Sequence, residues 1–152
     1  MNSVWDIPVP WKEVDEAVRQ YAKADKLAEQ YSKYEPIPDN FVNGRNSLGE
    51  NIGDLSGLSI AYKAYRASLN GKEAPVIDGL TGDQRFFMGW AQVWRFKMVE
   101  KSLRNLIATD PHSPGNFRAL GILSNMPEFY KAFEVKEGDA MYIAPEKRVK
   151  IW

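Results

Sequence analysis

The sequence predicts a mainly α-helical protein that folds as a single unit. Apolar residues recur at spacings of three and four along several segments, which is the period of one helix face. Proline and glycine separate these segments, as they do at the ends of helices. With 152 residues, of which 44% are hydrophobic, the chain suits one domain of ordinary size.

The first predicted helix extends from Trp11 to Tyr34. Prolines precede it and Pro36 stops it. The segment 36–46 is rich in Pro, Asn, Asp and Gly, which favours a loop with a short extended segment. The apolar stripe expected to face the core of the protein consists of Trp11, Val14, Val18, Tyr21, Ala24, Ala28 and Tyr31.

A capping box of the S-x-x-E form, Ser47 to Glu50, predicts the start of a second helix that ends near Leu69, before Asn70-Gly71. Glycines at every fourth position leave one stripe of this helix without side chains. Another backbone or a ligand can approach the helix there. These glycines are Gly49, Gly53 and Gly57.

A second capping box, Thr81 to Gln84, predicts a long, largely buried helix that continues toward Ile107. After a proline-rich loop, Ser113 is expected to cap a helix whose first residue is Pro114.

Asn125 is expected to cap a last short helix that ends near Gly138. The C-terminal residues indicate extended chain, with Trp152 packed against the rest of the protein.

Composition excludes several classes of function. The 20 basic and 20 acidic residues balance, so the charge favours neither nucleic acid nor an anionic membrane as partner. The chain contains no apolar run long enough for a membrane span and no pattern of a secretory signal, and this leaves localisation undetermined. Without cysteine it has no disulfide and no thiolate metal site, and one histidine cannot supply the usual imidazole ligands of zinc.

Glu50 and Asp54 lie four residues apart, so both carboxylates project from one face of the second helix. That spacing suits a metal ligand and a neighbour that orients another ligand. The alternative is structural: Glu50 completes the capping box and Asp54 is a solvated surface charge.

His112 follows Asp110 by two residues in the proline-rich loop, so Asp110 can accept a hydrogen bond from the ring and fix its tautomer. An imidazole held in this way can stabilise an oxyanion. Arg118 can grip a carbonyl or a carboxylate of a ligand. A structural histidine and a surface salt bridge are the ordinary alternatives.

Four segments in the same order resemble the C-terminal part of the catalytic domain in the neprilysin and endothelin-converting-enzyme family of zinc metalloendopeptidases. The resemblance extends over 14–152, whereas 1–13 is atypical. It implies the helical C-terminal portion of a thermolysin-like (gluzincin) catalytic domain. The segments are E-N-I-G-D-L-S-G-L from Glu50, Q-R-F-F-M-G-W-A-Q-V-W-R from Gln84, D-P-H-S-P-G-N-F-R from Asp110 and the terminal Ile151-Trp152.

The resemblance implies a role for each matching residue. Glu50 is the third zinc ligand, and Asp54 orients a zinc-binding histidine. His112 stabilises the oxyanion of the tetrahedral intermediate, with Asp110 as its orienter. Arg118 binds a backbone carbonyl of the peptide substrate. The residues that wall the pocket for the hydrophobic side chain after the scissile bond are Val93 and Trp94.

The H-E-x-x-H motif of the family, which supplies two zinc ligands and the general base, is absent from the chain. We therefore expect the chain alone to be inactive. It would require the missing N-terminal part of the peptidase or a complementing chain, and its uncovered apolar faces predict self-association. Two alternatives are a non-catalytic helical peptide-binding module and a degenerate, metal-free relative.

Overall fold

The computed structural model describes residues 11–151, except for the side chains of Trp11, Val14 and Ala17. The described part is mainly helical, as the sequence predicts, and residues 11–151 contain no β-strand. A short 3₁₀ turn, Pro145–Lys147, interrupts the C-terminal extended segment. The packing expected of Trp152 lies outside the described residues. The α-helices are α1 (Trp11–Tyr31), α2 (Leu48–Ser68), α3 (Gly82–Val93), α4 (Glu100–Thr109), α5 (Gly115–Leu123) and α6 (Pro127–Phe133).

The core lies where α1, α2, α3, α5 and α6 meet. Helix α5 packs against α1, α2 and α3, and α6 packs against α3. Gly121 lets α5 approach α1 closely, because a Cβ at this position would lie 2.6 Å from the ring of Tyr31 at the end of α1. The largest fully buried side chains are Tyr31, Phe87, Leu27, Ile122 and Asn51.

The predicted apolar stripe of α1 is only half correct. Ala28 and Tyr31 are buried, but Val18 and Tyr21 are 62% and 66% exposed. Among the stripe residues whose side chains the structure describes, full burial is therefore confined to the C-terminal half of α1. The glycine stripe of α2 also faces open space, since a Cβ at Gly49, Gly53 or Gly57 would meet nothing within 4 Å.

The long helix predicted from Thr81 to Ile107 is wrong. The capping box at its start is present, but α3 ends at Val93 and the chain resumes a helix only at Glu100. The chain turns because the Trp94 carbonyl and the Phe96 ring lie over Gly115 at the start of α5. A Cβ at Gly115 would be 2.8 Å from each of them.

The expected burial of this segment is also wrong. Only Gly82 and Phe87 are buried in α3, and no residue of α4 is buried. Several apolar side chains of α3 and of the segment that follows it instead face solvent. They are Met88, Val93, Phe96, Met98 and Val99, which are 38–71% exposed.

Three of the predicted caps form different contacts. The Ser47 side chain makes no cap bond and bonds to Asn43 and Asn51, each four residues away. Pro114, not Ser113, is the N-cap of α5, and Ser113 bonds to Asn51 of α2. Asn125 bonds to Gln30 and Val149, and Met126 precedes α6, which ends at Phe133 before the left-handed Glu134. For Ser113 and Asn125, distant partners replace the predicted local cap bond.

Candidate functional site

The first turns of α2 carry the two candidate carboxylates on one face. Glu50 is half exposed, whereas the Asp54 side chain is only 10% exposed. The capping box that assigned a structural role to Glu50 does not form, because Ser47 makes no side-chain cap bond. The Glu50 carboxylate faces His112 instead: its Oε2 lies 3.1 Å from the ring Nε2.

The loop between α4 and α5 presents His112 to Glu50. One oxygen of Asp110 accepts a hydrogen bond from the His112 backbone N–H at 2.8 Å and lies 2.7 Å from the ring Nδ1. The ring therefore has a carboxylate at each nitrogen, and the Asp110 contact fixes its orientation. With Nδ1 donating to Asp110, Nε2 can donate to a group bound beside Glu50 only in the ring form that carries a proton on both nitrogens.

Arg118, on α5, holds Asp54 with two parallel hydrogen bonds. Its Nε and Nη2 each donate to one carboxylate oxygen at 2.7 Å. The pair is well shielded from solvent, since the Arg118 side chain is only 14% exposed. Asp54 in turn raises the pKa of Arg118. A bidentate pair in such surroundings is geometrically specific and well ordered.

The guanidinium of Arg118 also stacks on Trp94. Its Cζ lies 3.9 Å from the centre of the Trp94 ring, which packs edge-on against Trp90. The Nη2 atom lies 3.9 Å from Glu50, so one cation faces both carboxylates of α2. Asp54, Arg118 and Trp94 thus form a continuous wall beside the Glu50–His112 contact.

A groove of about 600 Å³ begins at Trp94. Val93 does not line it, although the family resemblance assigns both residues to one pocket; Val93 is 66% exposed at the end of α3. The indole N–H of Trp94 is buried without a hydrogen-bond partner among the described residues. Side chains that line the groove include Trp94, Phe96, Ala119 and Leu120.

The structure thus brings Glu50, Asp54, Asp110, His112 and Arg118 together. Two polar residues next to them were missed by the sequence-based predictions. Asn51 is fully buried, and its Oδ1 accepts a hydrogen bond from the Ser113 hydroxyl at 3.0 Å. The sequence contained a signal for Asn51: it precedes Leu55 by one helical turn, so it is a polar residue on the apolar stripe of α2, where burial is expected.

Hydrogen bonds from His112, first from its backbone N–H and then from its ring, hold the pKa of Asp110 below its ordinary value. A carboxyl with a depressed pKa stabilises the fold above its unfolded pKa of about 3.9, and this stabilisation is lost as the pH falls through the folded value. In Asp110→Asn, the free energy of unfolding should therefore fall less between about pH 5 and pH 2 than it does in the unsubstituted chain.

Urea unfolding midpoints at several pH values measure this decline. Asp78→Asn is the matched control, because Asp78 is an exposed turn residue with a positive φ that asparagine also tolerates. An equal change in both variants would contradict the assignment of the effect to the Asp110–His112 contact.

Residues 11–151 do not by themselves form a zinc site. No group of three or more His, Cys, Asp or Glu residues in this range could hold a metal ion. Zinc in proteins takes at least three protein ligands, and it accepts carboxylate oxygen and imidazole nitrogen. Glu50 fits as one such ligand, and the others would have to come from protein outside the described residues.

Comparison with known proteins identifies the family of this chain. The model of the family described as "Peptidase family M13" matches residues 9–149. The chain belongs to this family. The predicted resemblance to the neprilysin and endothelin-converting-enzyme metalloendopeptidases is therefore confirmed.

Among the M13 relatives, human endothelin-converting enzyme 1 is 40% identical over 147 residues, which cover 94% of this chain and 19% of the relative. Human neprilysin is 44% identical over 115 residues, which cover 73% of the chain and 15% of the relative. The chain thus spans less than a fifth of the length of these curated relatives.

The solved structures confirm the fold. A crystal structure of Mycobacterium tuberculosis zinc metalloprotease ZMP1 with an inhibitor matches with a TM-score of 0.87 and 50% identity, over 89% of this chain and 22% of that one. PepO from Lactobacillus rhamnosis matches with a TM-score of 0.72 and 30% identity, over 90% and 20% of the two chains. The helices described above therefore adopt the arrangement of an M13 metallopeptidase.

No helix among residues 11–151 has the length and apolar character required to cross a membrane.

Proposed function

We propose that this chain supplies one wall of the active site of a neprilysin-like zinc metalloendopeptidase that cleaves oligopeptides on the amino side of hydrophobic residues. The observation that carries the proposal is the convergence of Glu50, His112 and Arg118 from two helices and a loop. Membership of peptidase family M13 supports the reaction class.

Each residue has a role that its contacts allow. Glu50 would supply one carboxylate ligand to zinc, whose chemistry when bound would be polarisation of a carbonyl and activation of water. The doubly protonated ring of His112 donates from Nε2 to the oxyanion that forms during peptide hydrolysis, while Nδ1 donates to Asp110, which holds the ring orientation. Two N–H groups of Arg118 bind Asp54, and its remaining N–H groups are available to a substrate carbonyl.

Asp54 has two partners in this proposal. Its oxygens accept the two hydrogen bonds from Arg118, and a carboxylate retains further acceptor positions for a zinc-binding histidine. Trp94 walls the pocket for the hydrophobic side chain and also backs Arg118. Val93, which the family resemblance assigns to the same pocket, lies outside the groove at Trp94 and would border a pocket only with protein beyond the described residues.

The two histidine ligands and the general base come from an H-E-x-x-H segment outside these 152 residues, either the N-terminal part of the peptidase or a complementing chain. The chain alone is inactive, because a single carboxylate cannot hold zinc tightly. The test mixes the chain with a second chain that carries the H-E-x-x-H segment. Zinc retained after desalting and cleavage of a quenched peptide are then measured, with each chain alone as control.

We expect zinc retention and cleavage only in the mixture, and a chelator should abolish both. Peptide binding by the chain alone that a chelator leaves unchanged would instead support a non-catalytic peptide-binding module. The groove at Trp94, whose lining includes none of the proposed zinc ligands, is the observation that favours this second function. If the chain neither binds peptide nor complements the second chain, it is a degenerate relative.

The chain should also self-associate through the exposed apolar side chains of α3 and the segment after it. Sizing chromatography over about a tenfold concentration range should show a rise in apparent mass. Val99→Glu should suppress this rise, because Val99, one of these side chains, is 71% exposed. Ile60→Glu, on α2 and 62% exposed, is the matched control. A single sharp monomer peak throughout would contradict the prediction.

A further inference from the structure

A buried hydrogen bond ties the His112 loop to α2 directly beside the Glu50–His112 contact. The hydroxyl of Ser113 donates to Oδ1 of Asn51 at 3.0 Å, and the two residues are 3% and 0% exposed. Asn51 follows Glu50 in sequence, and Ser113 follows His112. The buried Asn51–Ser113 pair therefore lies next to the exposed Glu50–His112 pair. Both pairs join α2 to the same loop, so the buried bond also sets the distance between Glu50 and His112.

The Asn51 amide is bonded at both ends, so its orientation is determined. Its Nδ2 donates to the Ser47 hydroxyl at 3.0 Å, and that hydroxyl donates to the Asn43 carbonyl at 3.1 Å. A buried amide is costly unless both ends find partners, and few arrangements satisfy this one. The loop can therefore dock on α2 in only a narrow range of positions.

A second tie lies on the other side of His112. The amide of Asn46 donates to the Asp110 carbonyl at 3.0 Å, so the loop is anchored before and after the histidine. The side chains of Glu50 and His112 are 44% and 43% exposed, and ion pairs of such exposure contribute little. The position of the His112 backbone must therefore come mainly from the buried bond between Ser113 and Asn51, whereas Asp110 orients the ring.

We propose that Asn51 is a positioning residue that holds His112 at Glu50 through its hydrogen bond to Ser113. The effect of this positioning on catalysis rests on the proposed function. The positioning itself requires neither metal nor substrate and can be tested without them. Because misplacement of a catalytic group by about 1 Å can lower the rate about 100-fold, this bond would bear directly on the reaction.

The test measures backbone order in the 152-residue chain by ¹⁵N relaxation. In Ser113→Ala, the order parameters of the amides of residues 110, 112 and 113 should fall from about 0.85 to below about 0.6, while the amides of α2 and α5 keep theirs. The ring ¹⁵N signals of His112, the one histidine of the sequence, should shift at the same fixed pH. A general loss of stability would not produce a change confined to this loop.

Two variants serve as controls. Ser113→Thr keeps the hydroxyl and should retain an ordered loop. Ser59→Ala removes another serine hydrogen bond on α2, from Oγ to the Leu55 carbonyl at 2.7 Å, and should leave residues 110–113 unchanged. Asn51→Leu, which keeps the shape but not the amide, should reproduce the effect of Ser113→Ala if it folds.

An ordered loop in Ser113→Ala, with ring signals like those of Ser59→Ala, would overturn the positioning role. In the complemented enzyme, Ser113→Ala should lower kcat more than it changes KM, whereas Ser59→Ala should change neither. Absence of hydrolysis in the unsubstituted mixture would overturn the proposed function and leave the relaxation result standing. The two failures are therefore distinguishable.

Discussion

Arg118→Met should lower the free energy of unfolding by about 3–5 kcal/mol, because it leaves the Asp54 carboxylate buried without its partner. The Asp54 side chain is 10% exposed and receives both of its strong hydrogen bonds from Arg118. Methionine preserves much of the packing against Trp94, so the change isolates the loss of charge pairing. For a chain of this length, the melting temperature should fall by about 10 °C.

Chemical and thermal unfolding of the chain measure this effect. The matched control is Arg104→Met, which removes a similar contact: Nε and Nη2 of Arg104 both bond to Glu100, but the pair is exposed on α4. That change should cost less than about 1 kcal/mol. Asp54→Leu combined with Arg118→Met should recover most of the loss. Equal costs for the two arginine variants would show that Asp54 does not depend on Arg118.

Glu50→Gln should abolish zinc binding and peptide hydrolysis in the mixture of this chain with an H-E-x-x-H chain. Glutamine has the same shape but no charge, and zinc in such sites binds carboxylate rather than amide oxygen. Substitution of a residue that only hydrogen-bonds to a metal ligand lowers metal affinity about 10–100-fold. Substitution of the ligand itself should lower the affinity further.

Zinc content after dialysis and the rate of peptide cleavage are the measurements. Glu137→Gln, an exposed carboxylate after α6, is the control and should change neither. Glu50 is half exposed, so its substitution should leave the unfolding midpoint of the chain nearly unchanged. Full zinc retention by Glu50→Gln would remove Glu50 from the metal site and with it the proposed ligand role.

The site was predictable from sequence to the extent that its residues belong to recognisable motifs. Glu50, Asp54, His112 and Arg118 were all singled out, and the structure brings them together. What the motifs did not indicate was which partner each residue takes. The S-x-x-E pattern favoured a local cap for Glu50, yet Ser47 bonds to Asn43 and Asn51, so Glu50 faces His112.

Local signals determined much of the fold. The end of α1 before Pro36, the end of α2 before Asn70-Gly71 and the capping box of Thr81 depend on residues within one or two helical turns, where backbone sterics and cap hydrogen bonds decide the conformation.

Only the tertiary structure decided the break after Val93 and the contacts of the site. The chain turns there because Trp94 and Phe96 pack over Gly115, and neither proline nor glycine marks that point. The Arg118–Asp54 pair joins residues 64 positions apart, and the bond from Ser113 to Asn51 spans 62. Such bonds form only when helices pack and exclude water, so local sequence could identify these residues but could not choose their partners.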